Sequence, residues 1–346
     1  MIQSINLKNF RLFTEKKLTT NNSLVIFSGK NATGKTSILE AIYLCSTSKS
    51  HRTNDSNNII LDQEDFSICE ITADKKFKVV LSKNNKAYFI NKQEIKKASD
   101  FIGNLSVVLF SPFDLNLING SKSDKRKFLD LEISLLDKDY LKYLSKYKKI
   151  LQERNNLLKE KEIDKVFFYV ITEELIKYLD LIYKKRIEFI SKLNEYLYEI
   201  SKELNIENIS LKYNKTYEDN ILKSFKNKEN IDFATKVTNI GIHRDDFKIL
   251  INNLPAEEYA SEGQSRIICI IIKLALKEYI KNITGKEPIL LLDDVFAALD
   301  KERIEKLTKF IKKSKQAFIT TTSILEIPDE LLRNAMVLRI EKGKGD

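Results

Sequence analysis

Tryptophan is missing from this 346-residue chain, and histidine and cysteine are scarce, at two and three residues. Cys45, Cys69 and Cys269 show no C-x-x-C spacing, so neither a structural zinc site nor a disulfide framework is supported. With nine glycines and four prolines, no low-complexity linker or internal repeat breaks the chain. The most apolar stretch, Ile267–Ile280, is interrupted by Lys273 and Lys277 and is too short to span a bilayer. A charged-then-apolar leader is also absent from the start. These absences set the expectation of a cytoplasmic protein without membrane contact.

What is present suits a sizeable core. Apolar residues make up 42% of the chain, with 19 Phe and 14 Tyr, and the length fits about two domains. Lys and Arg total 59 against 49 Asp and Glu, a formal charge of +10. That excess favours a polyanionic partner, nucleic acid before membrane. A genome rich in A and T inflates lysine by itself, so the charge is weak support.

The strongest local pattern is Gly29-Lys30-Asn31-Ala32-Thr33-Gly34-Lys35-Thr36, which satisfies G-x-x-x-x-G-K-[ST] in full. Val25-Ile26-Phe27 reads as a buried strand before it and Thr36–Leu44 as a helix after it. In that context the loop N–H groups and the helix N-terminus face phosphates. Lys35 is expected to reach the β- and γ-phosphates of ATP, and the Thr36 hydroxyl to bind Mg²⁺.

Ile289-Leu290-Leu291-Leu292 reads as a strand buried on both faces, ending in Asp293 and Asp294. Asp293 is the expected Mg²⁺ carboxylate, and Asp294 is placed to orient or deprotonate the attacking water. Ser261-Glu262-Gly263-Gln264 opens another predicted helix. Alone, Ser261 is most simply an N-cap. Together with the loop and the acidic strand, Ser261, Gly263 and Gln264 read as a second nucleotide contact, offered to the ATP of a partner copy. Lys35, Asp293 and Asp294 are the expected catalytic residues.

Short alternating segments fill residues 1–115, and strand–helix alternation returns from about residue 240. Between them, residues 116–239 carry two long helical stripes, broken near Lys161–Asp164, that can pair antiparallel. The expected fold class is α/β: an ATP-binding head from 1–115 and 240–346, with an inserted helical second domain at 116–239. Basic residues cluster in the insertion at Lys122, Lys125, Arg126 and Lys127, and at Lys184, Lys185 and Arg186. Solvated helix faces are the simpler reading of any one such cluster. The functional reading makes them phosphate contacts to DNA, with His51-Arg52 touching DNA or nucleotide.

In order along the chain, these motifs resemble the RecF family of ABC/SMC-type ATPases. The likeness is carried by Leu7-Lys8-Asn9-Phe10-Arg11, the phosphate loop with Leu39-Glu40-Ala41-Ile42, and Lys49-Ser50-His51-Arg52-Thr53. It continues through Phe110–Leu115, Asp124–Asp130, Gly241–Asp246 and Ala260–Arg266, and closes with Leu290–Val295, Leu299-Asp300 and Gln316–Ser323. Ala32 stands where the family usually has glycine, Ile242 replaces a proline, and Glu262 replaces a common glutamine. A proline usual just before the basic Arg126 segment is also missing.

The resemblance implies a P-loop ABC/SMC-type head that binds Mg·ATP and closes into a two-fold dimer. Arg11 would reach the nucleotide, and Asp300 would touch the other protomer. It further implies slow hydrolysis, sequence-independent binding of single- and double-stranded DNA, and action at single-strand gaps with RecO and RecR to load RecA. A RecF-like defence ATPase and a nucleotide-gated scaffold with incidental hydrolysis are the alternatives. Thr321 and Thr322 occupy the place where many ABC ATPases carry a switch histidine.

Overall fold

The structure, a computed structural model, describes residues 1–297 and 299–341. It divides into two units, Met1–Asp114 with Glu262–Asp346, and Leu115–Ser261.

The first unit is built on two sheets. Five parallel strands run in the order Met336–Arg339, Leu24–Ser28, Ala317–Thr321, Ile289–Asp293, Val107–Phe110. The central three and Val107–Phe110 are buried along their whole length, as strands covered on both faces must be. The other sheet is antiparallel, with six strands in the order Phe13–Thr19, Ser4–Phe10, Phe66–Thr72, Lys76–Ser82, Lys86–Ile90, Gln93–Ile95. Phe66–Thr72 and Lys76–Ser82 alternate strictly between buried and half-buried positions, so only one face of that sheet meets the core.

The helix Lys35–Thr47 touches strands of both sheets. It is therefore covered on every side, and Thr36 is its one residue that is not buried. The phosphate loop enters this helix from the C-terminal end of Leu24–Ser28, and Ile289–Asp293 ends at the same edge. That edge is where ligands bind in open α/β sheets.

In the second unit, Ser121 and Asp124 form a capping box at the start of the helix Lys122–Leu136. Asp137 ends that helix in an extended conformation, and its carboxylate caps the next, Lys138–Leu157. The 39-residue helix Lys165–Glu203 follows. Arg154 meets Thr172 and Tyr140 meets Arg186, an order that makes the two long helices antiparallel. The first predicted stripe is thus two helices rather than one, because Asp137 serves both as stop and as start.

The expected return of the head near residue 240 is corrected. Asp246–Ile251 pairs antiparallel with Ile209–Asn214 and with Leu254–Pro255, so residues 240–261 belong to the second unit. The burial of Asp246–Ile251 alternates along its length, as in a one-faced antiparallel strand, whereas the parallel head strands are buried throughout.

Two arginines anchor this unit from inside. Arg154 Nη1 lies 2.8 Å from Asp232 Oδ2, with 1% and 0% of the side chains exposed. Arg186, also 1% exposed, binds Asp130, the hydroxyls of Tyr140 and Tyr213, and the carbonyl of Ile242. Breaking such a pair leaves a buried, uncompensated charge. Asp232→Ala is expected to cost ~3–5 kcal/mol. Lys184→Ala, which removes the exposed pair with Asp180, is expected to cost under ~1 kcal/mol. Denaturant unfolding of the two variants checks the contrast.

Candidate functional site

The phosphate loop is fixed by close approach. A Cβ on Gly29 would lie 2.3 Å from the carbonyl oxygen of Ile340. Gly34 has φ 101°, and a Cβ there would lie 2.4 Å from the ring of Phe13. Ala32 takes φ 62°, the left-handed region that costs a non-glycine residue ~1 kcal/mol. Lys30, Asn31 and Ala32 are exposed on the rim, and Thr33 donates its hydroxyl to the Lys30 carbonyl at 3.0 Å.

Lys35 is 8% exposed. Its ammonium donates to the carbonyls of Gly29 and Lys30 at 2.7 and 2.8 Å, so it lies beneath the loop. Burial lowers its pKa, opposed by the nearby carboxylates of Asp294 and Asp293. The charge is thus held where stripping of water makes an anionic partner more valuable.

Thr36 and Asp293, predicted from segments 257 residues apart, meet directly. The Thr36 hydroxyl donates to Asp293 Oδ1 at 2.9 Å, and the Thr320 hydroxyl donates to the same oxygen at 2.6 Å. Burial raises the Asp293 pKa, and the two hydroxyls pull it back down, while Asp294 adds to the rise. Hydroxyl plus carboxylate is an oxygen pair suited to a hard cation that takes its remaining ligands from phosphate and water. Among the described residues no cluster of three or more His, Cys, Asp or Glu stands ready to hold a metal alone. Thr36 and Asp293 together offer oxygens that could hold Mg²⁺ brought with a nucleotide.

Asp294 follows with φ 53°. Its N–H bonds the Thr320 hydroxyl at 2.9 Å, and its carbonyl accepts from the Arg266 guanidinium. Sparsely populated backbone of this kind persists where surroundings impose it, commonly at sites of chemistry. Thr320 and Arg266 were not singled out from sequence. Thr320 lies beside the threonines proposed as a switch, and only strand register shows that it, rather than Thr321, faces Asp293. The Thr321 hydroxyl is engaged by the Ser323 carbonyl and Glu326.

Arg11 takes φ 57° in the turn between the first two strands and meets Glu40, a fully buried carboxylate in mid-helix. Arg11 Nε and Nη2 bind the two oxygens of Glu40 at 2.8 and 2.5 Å, Ser50 donates at 2.5 Å, and Arg52 Nη1 approaches to 3.5 Å. Burial alone would raise the Glu40 pKa. The Arg11 and Ser50 hydrogen bonds outweigh it and hold the pKa below 4.5. Arg52 also lowers Asp293, which places its charge at the phosphate-loop site. Of the two roles left open for Arg52, DNA or nucleotide, this position lies on the nucleotide side. His51 packs edge-on against Tyr43 and Phe113, its pKa pushed down to about 4 by burial.

Ser261 immediately precedes the helix Glu262–Thr284, and a Cβ on Gly263 would meet nothing within 4 Å. Gln264 lies in the first turn of that helix. Asp300 caps the helix Lys301–Lys313, accepting from the Arg303 N–H at 2.9 Å, and remains exposed.

The family model described as RecF/RecN/SMC N terminal domain matches residues 1–334. The "DNA replication and repair protein RecF" of Acholeplasma laidlawii is 42% identical over 325 residues, 93% of each chain. That of Clostridium perfringens is 37% identical over 99% of each chain. The chain belongs to the RecF family. Among solved structures, "the recombination mediator protein RecF-ATP in RecFOR pathway" superposes with TM-score 0.89 at 31% identity, covering all of this chain and 96% of that one. A Pyrococcus furiosus Smc head domain shares the fold, at TM-score 0.55 and 15% identity, covering 99% of this chain and 94% of that one. The ABC/SMC-type head fold inferred from sequence is therefore the fold of this RecF family member. Among the described residues no helix is long and apolar enough to cross a membrane.

Each member of the basic clusters proposed for DNA, apart from Lys122, has an acceptor within this RecF-family chain, some buried and some on the surface. Arg186 is fully buried, which removes it from any surface. Lys125 is 4% exposed and paired with Glu257 at 3.2 Å. Arg126 donates to the Asp245 carbonyl at 2.9 Å. Lys127, Lys184 and Lys185 pair with Asp124, Asp180 and Asp137. Helical spacing showed these charges on nearby turns without showing the carboxylates opposite them.

Two outcomes follow from the titrating groups. Because Glu40 is depressed, its stabilisation is present above pH 4.5 and lost as pH falls through its lowered value. Glu40→Gln is thus expected to melt below wild type at pH 7, with the gap closing below about pH 4.5 in thermal scans. Asp293 is raised, so its ionised form burdens the fold at neutral pH. Asp293→Asn is expected to raise the nucleotide-free melting temperature at pH 7 while abolishing Mg²⁺-dependent stabilisation by ATP.

Proposed function

We propose that this chain is an ATP-dependent DNA-binding protein of replication and repair. The observation that carries the reading is the convergence of the phosphate loop, Thr36 and Asp293 on one edge of the parallel sheet. It is supported by relatives named as DNA replication and repair proteins and by a RecF solved with ATP. Lys35 and the loop N–H groups hold the β- and γ-phosphates, and Thr36 and Asp293 hold Mg²⁺. The metal neutralises charge on the phosphates. Asp294, on its constrained backbone, receives a proton from the attacking water. An aspartate here reaches one methylene less far than a glutamate, so turnover is slow.

In this reading, Ser261, Gly263 and Gln264 of one copy complete the nucleotide site of another, with Asp300 beside it. ATP then gates a two-fold dimer that clamps DNA at single-strand gaps, and hydrolysis reopens it. RecO and RecR act with it to load RecA, in line with the pathway named for the RecF structure. DNA is held through its phosphates, so binding is sequence-independent and falls with salt.

Mixing two inactive variants tests the shared site. Lys35→Ala is expected to lose ATP binding, while Ser261→Arg keeps it but fails to dimerise, since bulk and charge oppose the partner's γ-phosphate. In a mixed dimer one site carries both lesions and the other none. Part of the ATP-dependent dimer or turnover is therefore expected to return on mixing, read by light scattering and phosphate release. No recovery at concentrations that dimerise wild type would sink the arrangement.

A further inference from the structure

The second unit holds a cavity of about 620 Å³ that none of the sequence motifs explains. Five cationic side chains line it, Lys122, Lys125, Lys215, Arg244 and Lys248, against two carboxylates, Asp246 and Glu257. Two of the cations are already matched. Lys125 pairs with Glu257 at 3.2 Å, and Lys215 pairs with Asp219 at 2.5 Å. Among the described residues no carboxylate lies within ion-pairing distance of Lys122, Arg244 or Lys248.

These three come from separate elements. Lys122 opens the helix Lys122–Leu136, Arg244 follows the turn at Gly241, and Lys248 stands on the strand Asp246–Ile251. Only the fold brings them to one concavity. Like charges gathered this way raise the local potential and favour a ligand with several negative charges. The N-terminus of the helix adds its positive end at the same place, at Gly120 and Ser121.

The lining also states what the ligand does not offer. It contains no aromatic side chain and no aliphatic one; the rest is Gly120, Ser121, Asn214 and Thr216. A base has nothing to stack on, whereas recognition of a free nucleotide or of single-stranded DNA depends heavily on stacking. A wall of cations, amide and hydroxyl is suited to oxygens of a sugar–phosphate backbone whose bases are turned away.

We infer that this cavity is a contact site for the phosphates of duplex DNA, with Lys122, Arg244 and Lys248 as its contacting cations. The inference rests on the DNA-binding reading above; it keeps Lys122 of the first basic cluster and adds Arg244 and Lys248, which no cluster legible in sequence contains.

The test uses the full chain with Mg·ATP and a fluorescent mixed-sequence duplex, titrated at several salt concentrations. Lys122→Gln, Arg244→Gln and Lys248→Gln, singly and combined, are compared with Lys228→Gln, an exposed lysine elsewhere in the unit. Each cavity variant is expected to weaken duplex binding severalfold and to reduce the slope of log affinity against log salt by about 0.9 per lost contact. ATP affinity, melting temperature and the Lys228→Gln control are expected to stay at wild-type values. A triple variant with wild-type affinity and slope overturns the site while leaving DNA binding itself intact. Equal losses for single-stranded oligonucleotide overturn the duplex assignment. Competition by inorganic tripolyphosphate as effective as by unlabelled duplex, at equal phosphate concentration, would show a small-anion site instead. A wild-type chain that binds no duplex with ATP defeats the proposed function, and this site with it.

Discussion

The head depends on burying one helix on all sides. Lys35–Thr47 touches both a parallel and an antiparallel sheet, so its polar side chains must either be absent or be matched inside. Thr36, at the first turn, escapes burial and meets Asp293. Glu40, one turn further, does not escape and is matched by Arg11 and Ser50, with Arg52 alongside. Holding that helix fixes the phosphate loop, the Thr36–Asp293 pair and the arginine cluster relative to one another.

Electrostatics then sorts the charges by what faces them. Buried cations in the second unit, Arg154 and Arg186, have carboxylate partners and serve the fold. Lys35 is buried with loop carbonyls as its hydrogen-bond acceptors and two carboxylates nearby, an arrangement suited to phosphate. Lys122, Arg244 and Lys248 line a cavity in which cations outnumber carboxylates and, among the described residues, none of the three is ion-paired, an arrangement suited to a polyanion. The same residue types thus serve structure, proposed nucleotide contact and proposed DNA contact according to their neighbours. Local strain follows the same division. Ala32 and Asp294 both adopt left-handed backbone, and at Asp294 bonds from Thr320 and Arg266 hold the chain there.

Much of the proposed nucleotide site's local structure was legible because it is written in short segments. G-x-x-x-x-G-K-[ST] after a buried strand requires one loop geometry, and an apolar run ending in Asp293-Asp294 requires one edge of a parallel sheet. The pairing of Thr36 with Asp293 followed from placing both at that edge. Other features depended on what stands opposite a residue, which spacing does not encode. Lys125 and Arg186 read as surface charge by periodicity, yet Glu257 and Asp130 had claimed them. Residues 240–261 read as part of the head until the pairing of Asp246–Ile251 with Ile209–Asn214 appeared. Glu40, Thr320 and Arg266 carry no motif of their own.

By itself, then, the chain's order of residues determined the phosphate loop, its helix, the acidic strand and the RecF-type fold, because each is written within a few turns or in one ordered set of motifs. Tertiary structure alone decided which cations lack a carboxylate partner, which carboxylates the others answer, and where the second unit ends. Those are properties of long-range pairing, where a one-residue change in register or a facing carboxylate reverses the role of a side chain.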